Sequence, residues 1–315
     1  MRVCLMIEGQ DGVTWEDWVR LAGLAERHGF EGLFRSDHYT AIIHEDAEAH
    51  DAWATLAALA PLTERIRLGT LVSPATFRHP SVLARMAVTV DHASGGRVEV
   101  GLGSGWYERE HRANGFPFPS GRERFALLAE QVEIVVRSWS GERFDHEGPA
   151  YTLRGQLALP RPVQRPHPPL ILGSSSVRPR FAALAARYAT EVNTLGAPGG
   201  ELRARRERLL RACEETGRDP GTLGFSVMTA CFAGEREEEA VERIGRFLAV
   251  RGGGDPRALL AERRDRWLAG GVEELAARVE ELRALGVTRL FLQHLNHDDD
   301  EHLALLGERL LPLLA

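Results

Sequence analysis

Short apolar runs alternate along the whole chain with longer segments in which apolar residues recur every third or fourth position. The runs at 3–7, 32–38, 66–72, 98–102, 170–172, 190–195, 225–232 and 288–294 predict eight strands. The periodic segments between them predict helices, because side chains spaced by about 3.6 residues share one face. Trp18, Leu21, Ala22 and Ala25 form the first such face, entered through Thr14 with Asp17 three residues on and stopped by Gly29. Pro80 opens a second, with Val82, Leu83, Met86, Ala87 and Val90 inward. Ser120 and Glu123 predict a capping box for a long helix through Trp139. Further helices are expected up to residue 62, through Phe181 and Tyr188, over 201–216, twice or more within 235–271, and over 272–285. Asp298 and Glu301 offer a cap for the last one.

Eight strand–helix repeats with no Gly/Ser linker predict one α/β domain over residues 1–315, a (β/α)8 TIM barrel with insertions at its C-terminal mouth. A doubly wound open sheet is the alternative, but the first turn lacks the Gly-x-Gly-x-x-Gly that would favour it. Two stretches break the rhythm. Residues 40–51 read as an irregular loop. Residues 141–169, with Pro149 and five prolines from Pro160 to Pro169, read as a hairpin and an extended crossing over the barrel mouth.

Composition then narrows the chemistry. The net charge of −6 gives no general attraction to nucleic acid or an anionic membrane, and neither is expected as a partner. No apolar run approaches the ~18 residues of a membrane span. The opening residues run straight into Glu8 and are too short for a signal peptide, so a cytoplasmic location is expected. Three scattered cysteines show no metal spacing and fit a reducing compartment. All 39 basic residues are arginine. Without lysine there is no Schiff-base or P-loop chemistry.

Several clusters fall at predicted strand ends, where a parallel barrel gathers function. Asp37-His38 follows the second strand, and His38 is a candidate acid/base near neutral pH. A loop histidine paired with its neighbour for structure is the other reading. Residues 70–74 turn abruptly from apolar to polar at Ser73-Pro74. Gly101, Gly103 and Gly105 alternate with Leu102 and Ser104 before Trp106, a pattern that lets backbone approach a ligand and an indole wall a planar ring. These glycines serve strand packing equally well. Gly173-Ser174-Ser175-Ser176 reads as a helix opening suited to phosphate, or as a plain serine cap. Histidine and acidic residues cluster at 44–51 and 297–302, but solvated loop and helix-start readings outweigh a metal site, and none is expected.

Taken together, Ser36-Asp37-His38, the run Leu68 to Pro80, Ser94-Gly95-Gly96-Arg97, Gly101 to Trp106 with Glu108 and Glu110, and Leu170-Ile171-Leu172-Gly173 resemble the luciferase-like monooxygenase superfamily. The closer resemblance is to its coenzyme F420-dependent oxidoreductases, and it extends to about Thr194. The resemblance implies a deazaflavin or flavin across the barrel mouth. Asp37 and His38 would lie by its ring, and its phosphate end would rest on Gly173, Ser174 and Ser175. A non-prolyl cis peptide against the ring would fall at Thr70–Leu71, and Gly103, Ser104 and Trp106 would complete the cradle. Hydride transfer between F420 and a small organic substrate is the activity implied, with His38 as acid/base and Glu108 as a second candidate. Use of reduced FMN and oxygen as a monooxygenase is the alternative, and a non-enzymatic flavin-binding barrel a third reading. A homodimer is implied by resemblance. Sugar-phosphate dehydrogenases of the family hold their substrate's phosphate on lysines, and this chain has none unless arginines substitute.

Overall fold

A computed structural model describes residues 1–43 and 46–314. The chain runs β1 (Arg2–Ile7), α1 (Trp15–Arg27), β2 (Gly32–Arg35), α2 (Ala52–Leu59), β3 (Arg67–Thr70), β4 (Ser73–Pro74), α3 (Pro80–Ala93) and β5 (Val98–Gly103). It continues through α4 (Glu108–Asn114), α5 (Gly121–Trp139), β6 (Phe144–Glu147), β7 (Thr152–Gln156), β8 (Leu170–Gly173), α6 (Pro179–Tyr188), β9 (Glu191–Leu195) and α7 (Gly199–Glu215). The last third holds β10 (Gly224–Gly234), α8 (Glu237–Ala249), α9 (Pro256–Arg263), β11 (Leu268–Gly271), α10 (Val272–Ala284), β12 (Arg289–Gln293) and α11 (Asp300–Leu305).

The parallel order β1-β2-β3-β5-β8-β9-β10-β12 closes back onto β1, so the sheet is an eight-stranded barrel. The expected TIM barrel is borne out. Alternation along the strands divides two interiors. Val3, Leu5 and Ile7 pack outward into the layer beneath the helices, whereas Cys4 and Met6 join Phe34, Ile171 and Phe291 inside the barrel. Below that plug the strand starts form an ionic floor. Arg289 grips Glu99 in bidentate fashion at 2.7 and 3.2 Å and lies 3.6 Å from Glu191. The lumen is therefore filled from the bottom and opens only at the C-terminal end.

Local signals behave as the sequence suggests at the first and fifth helices, where Thr14 with Asp17 and Ser120 with Glu123 form reciprocal capping boxes. At α11 the cap is Asp299, one residue beyond the Asp298 expected, and its carboxylate accepts from the His302 N–H at 3.0 Å. The 141–169 insertion is a larger departure. Its hairpin β6–β7 forms, but no residue of the insertion lines the mouth. The Glu130 carboxylate on α5 holds the Ala150 and Tyr151 N–H groups, and Asp91 on α3 holds those of Val163 and Gln164. Gln164 then donates to the Val98 carbonyl at the bottom of β5. Buried carboxylates thus draw the segment down the barrel's outside. Among the described residues no helix is long and apolar enough to cross a membrane, and no group of three or more His, Cys, Asp or Glu is set to hold a metal. His44 and Glu45, in one of the two clusters read for metal, lie outside the described residues.

Candidate active site

A cavity of about 1390 Å³ opens at the C-terminal ends of the strands. His38, Leu71, Gly103, Ser104, Trp106, Gly173, Ser174 and Ser175 all line it, so most of the residues singled out from the sequence converge there. His38 sits just past β2, with only 10% of its side chain exposed. Its Nδ1 lies 2.8 Å from Glu110 Oε2. A carboxylate can only accept, so Nδ1 carries the hydrogen and the neutral ring presents an Nε2 lone pair. Among the described residues nothing bonds to Nε2, and it is left to the cavity. Burial works against a charge on the ring, but the Glu110 carboxylate outweighs it and the His38 pKa is raised.

Glu110 is itself fully buried. Its other oxygen accepts from the Tyr39 and Thr40 N–H groups, the latter at 3.0 Å, so one carboxylate fixes both the imidazole and the chain that follows it. The sequence reading chose Glu108 instead. In the structure Glu108 begins α4 and pairs with Arg112 at 2.7 Å on the exposed face, outside the cavity wall. Residues two apart on a helix lie about 200° round its axis, so α4 cannot turn both glutamates inward.

Two other expectations shift for local reasons. Asp37 does not reach the cavity wall. It is buried behind it, accepting from Ser73 Oγ and from Arg78, both at 2.5 Å. Arg78 also reaches Asp51 at 2.8 Å and Tyr39 Oη at 2.7 Å. Asp37 therefore anchors the loops under the site. Thr70 is likewise buried off the wall, donating to the Gly101 carbonyl at 3.1 Å. The non-prolyl cis bond is Leu71–Val72, one residue later than expected. The Leu71 N–H still donates to the Arg35 carbonyl at 2.8 Å, so the sheet ladder runs one residue further than β3's end suggests.

The glycines at the mouth serve the protein before any ligand. A Cβ on Gly103 would come within 2.6 Å of Val72 Cγ2, and one on Gly173 within 2.9 Å of Val72 Cγ1. Val72 occupies the space the missing side chains leave. The serine segment is not a helix start either, because α6 begins only at Pro179. Ser174 Oγ instead accepts from the Val177 N–H at 3.1 Å and closes a turn in which Val177 holds a left-handed φ of 46°. Arg122, Arg178 and Arg180 line this end of the cavity, and none has an ion-pair partner among the described residues.

Sequence reasoning missed the opposite end. Glu8 leaves β1 into the cavity, and Gln10 and Gln293 donate to its two oxygens at 3.1 and 2.6 Å. Asp11, Met228, Phe247 and Arg251 complete that side. The position of Glu8 directly after an apolar strand was the available signal.

A family model described as luciferase-like monooxygenase matches residues 3–289. The chain belongs to that family. It is thus an enzyme of an oxidoreductase family. It is 30% identical over 319 residues to an F420-dependent glucose-6-phosphate dehydrogenase of Microbacterium testaceum, covering 92% of this chain and 91% of the relative. An FMNH(2)-dependent dimethylsulfone monooxygenase of Pseudomonas putida is 32% identical over 157 residues, 50% of this chain and 43% of that one. Among solved structures, the monooxygenase RslO1 from Streptomyces bottropensis superposes over the full length of both chains with a TM-score of 0.85 at 26% identity.

Proposed function

We propose that this chain is a coenzyme F420-dependent oxidoreductase that moves a hydride between F420 and a small organic substrate, with His38 as its acid/base. The observation that carries the reading is the Glu110–His38 pair at the cavity wall, with an imidazole nitrogen left unbonded toward the space where substrate and cofactor would meet.

The residues present fit such a cofactor. Leu71, Val72 and Trp106 give apolar surface for a planar ring. The serine turn and the three unpartnered arginines give the far end a cationic lining. F420 carries a phosphodiester and glutamyl carboxylates, and FMN a single phosphate. The extra cations therefore favour F420, as does the named cofactor of the relative that spans nearly the whole chain. F420, when bound, supplies the two-electron carrier. His38 Nε2 gives or takes the accompanying proton, and Glu110 fixes the tautomer and favours the protonated form.

Fluorescence titration with F420 and with FMN tests the cofactor. Tight F420 binding with weak FMN binding supports the reading, and the reverse moves the chain to the monooxygenase alternative. His38→Ala should keep F420 affinity while turnover falls about 10²- to 10⁴-fold. Unchanged turnover would remove His38 from the chemistry.

A further inference from the structure

The half of the cavity facing away from the serine turn differs from it in chemistry. Its walls are Ile42, Ile43, Met228, Phe247 and Leu295, all apolar. The apolar surface continues outward past the rim. Ile42 is 42% exposed and Val250, beside it in a shallow extension of the mouth, 53% exposed. Soluble proteins seldom collect large apolar side chains at one opening without a ligand to cover them.

Charge on this side opposes an anion. Among the described lining residues it carries two carboxylates, Glu8 and Asp11, and one cation, Arg251. The Arg251 guanidinium lies 3.7 Å over the Phe247 ring and donates to the Phe247 carbonyl at 3.0 Å, with its charge facing Asp11 and Glu8. Asp11 accepts from the Ile42 N–H at 2.9 Å and from the Ile43 N–H at 3.3 Å, and so fixes these two apolar residues at the mouth. A phosphate entering here would meet a net negative wall. Several of the polar lining groups are already paired with one another. Both Glu8 oxygens are taken by amides, and Gln10 Oε1 accepts from Ser36 Oγ. His38 Nε2, which bonds to nothing among the described residues, is left to recognise one oxygen function.

We infer that the substrate is an uncharged, largely hydrocarbon molecule with a single carbonyl or hydroxyl, and not a sugar phosphate. The inference rests on the proposed function only in assigning the serine end to the cofactor. Isothermal titration of the full-length protein, alone and saturated with F420, tests it with 2-butanone, 2-hexanone, 2-octanone, 2-decanone and glucose 6-phosphate as probes. The expected result is about a two- to fourfold gain in affinity per added methylene, as hydrocarbon leaves water, with glucose 6-phosphate far weaker than 2-decanone. The Ile42→Ser/Val250→Ser double variant, altered only at exposed positions, should flatten that gain for the longer ketones. No chain-length dependence, an unflattened gain in the variant, or tighter binding of glucose 6-phosphate overturns the inference. A protein that binds no F420 yet shows the gain overturns the cofactor reading alone. One that binds F420 and shows no gain overturns the substrate class alone.

Discussion

Glu110 Oε2 and His38 Nδ1 meet 2.8 Å apart, and they come from segments 72 residues apart in the chain. The same carboxylate holds two backbone N–H groups of the loop after β2, so the proton site and its surroundings are set by one buried group. Removing its charge should be felt in titration as well as in position. In Glu110→Gln the amide can still accept from Nδ1 but no longer favours imidazolium, so the His38 pKa should fall. A histidine whose pKa is raised on folding contributes stability that is complete below its unfolded value of about 6.5 and is lost as pH rises through the folded value. The stability gap between wild type and variant should therefore be larger near pH 6 than near pH 9. The gap at the lower pH should be about 1.5–3 kcal/mol, the range for a charge-assisted hydrogen bond. Urea melts at both pH values, with NMR titration of the His38 ring, measure this. A gap that does not vary with pH would show that Glu110 only shapes the loop.

The floor of the barrel offers a second test. Arg289 is buried among Glu99, Glu191 and the Cys4 thiol, and these neighbours hold its pKa up against the cost of burial. Arg289→Met would leave the buried Glu99 with Arg67 and the buried Glu191 with Arg2 as their remaining ion-pair partners. Breaking such a set by removing one member costs about 3–5 kcal/mol. The melting midpoint should fall sharply while F420 affinity in the surviving folded fraction changes little, because the floor lies beneath the apolar plug. Denaturant melts and F420 titration on one preparation separate the two effects.

How much of this was legible in the sequence depends on the range of the information involved. Strand and helix identity is carried by local periodicity, and β1, with Val3, Leu5 and Ile7 on one side and Cys4 and Met6 on the other, shows why the pattern suffices. His38 and the glycine and serine turns could be found because strand ends in a parallel barrel are where ligands collect. The choice between Glu108 and Glu110 could not be made that way. It depends on where α4 begins, a boundary set by the tertiary contact of Glu110 with residues 38–40. The setting of Asp37 was hidden for a related reason. Its partner Arg78 is 41 residues away, and nothing near Asp37 in the chain announces it. The path of the 141–169 insertion was hidden too, since it is written in Asp91 and Glu130, residues of two helices outside it.

The cationic lining at the serine end predicts a salt effect. Arg122→Ala, Arg178→Ala and Arg180→Ala should each weaken F420 binding about two- to fivefold, the scale of solvent-exposed charge pairs. Affinity of the wild type should fall as salt is raised from about 50 to 500 mM, because screening lengths shorten over that range. The triple variant should lose most of that dependence, and binding of riboflavin, which has no phosphate, should be untouched. A salt slope that survives in the triple variant would place the charged end of the cofactor elsewhere.

Val72 and Gly103 offer a test of the cavity wall itself. A Cβ at 103 would meet Val72 Cγ2 at 2.6 Å, with no other atom nearer than the Val72 Cβ at 3.8 Å. Gly103→Ala should therefore cost about 1–3 kcal/mol, the usual penalty for overpacking. Because Val72 alone causes the clash, Val72→Ala should recover most of it, giving a favourable coupling of about 0.5–3 kcal/mol in the double-mutant cycle. Both residues line the cavity, so Gly103→Ala alone should also weaken ring binding by displacing Val72, and the double variant should restore it. Thermal melts and cofactor titrations on the four proteins measure the cycle. If Val72→Ala brings no recovery, the glycine is required by the ligand's approach and not by the packing of its neighbour.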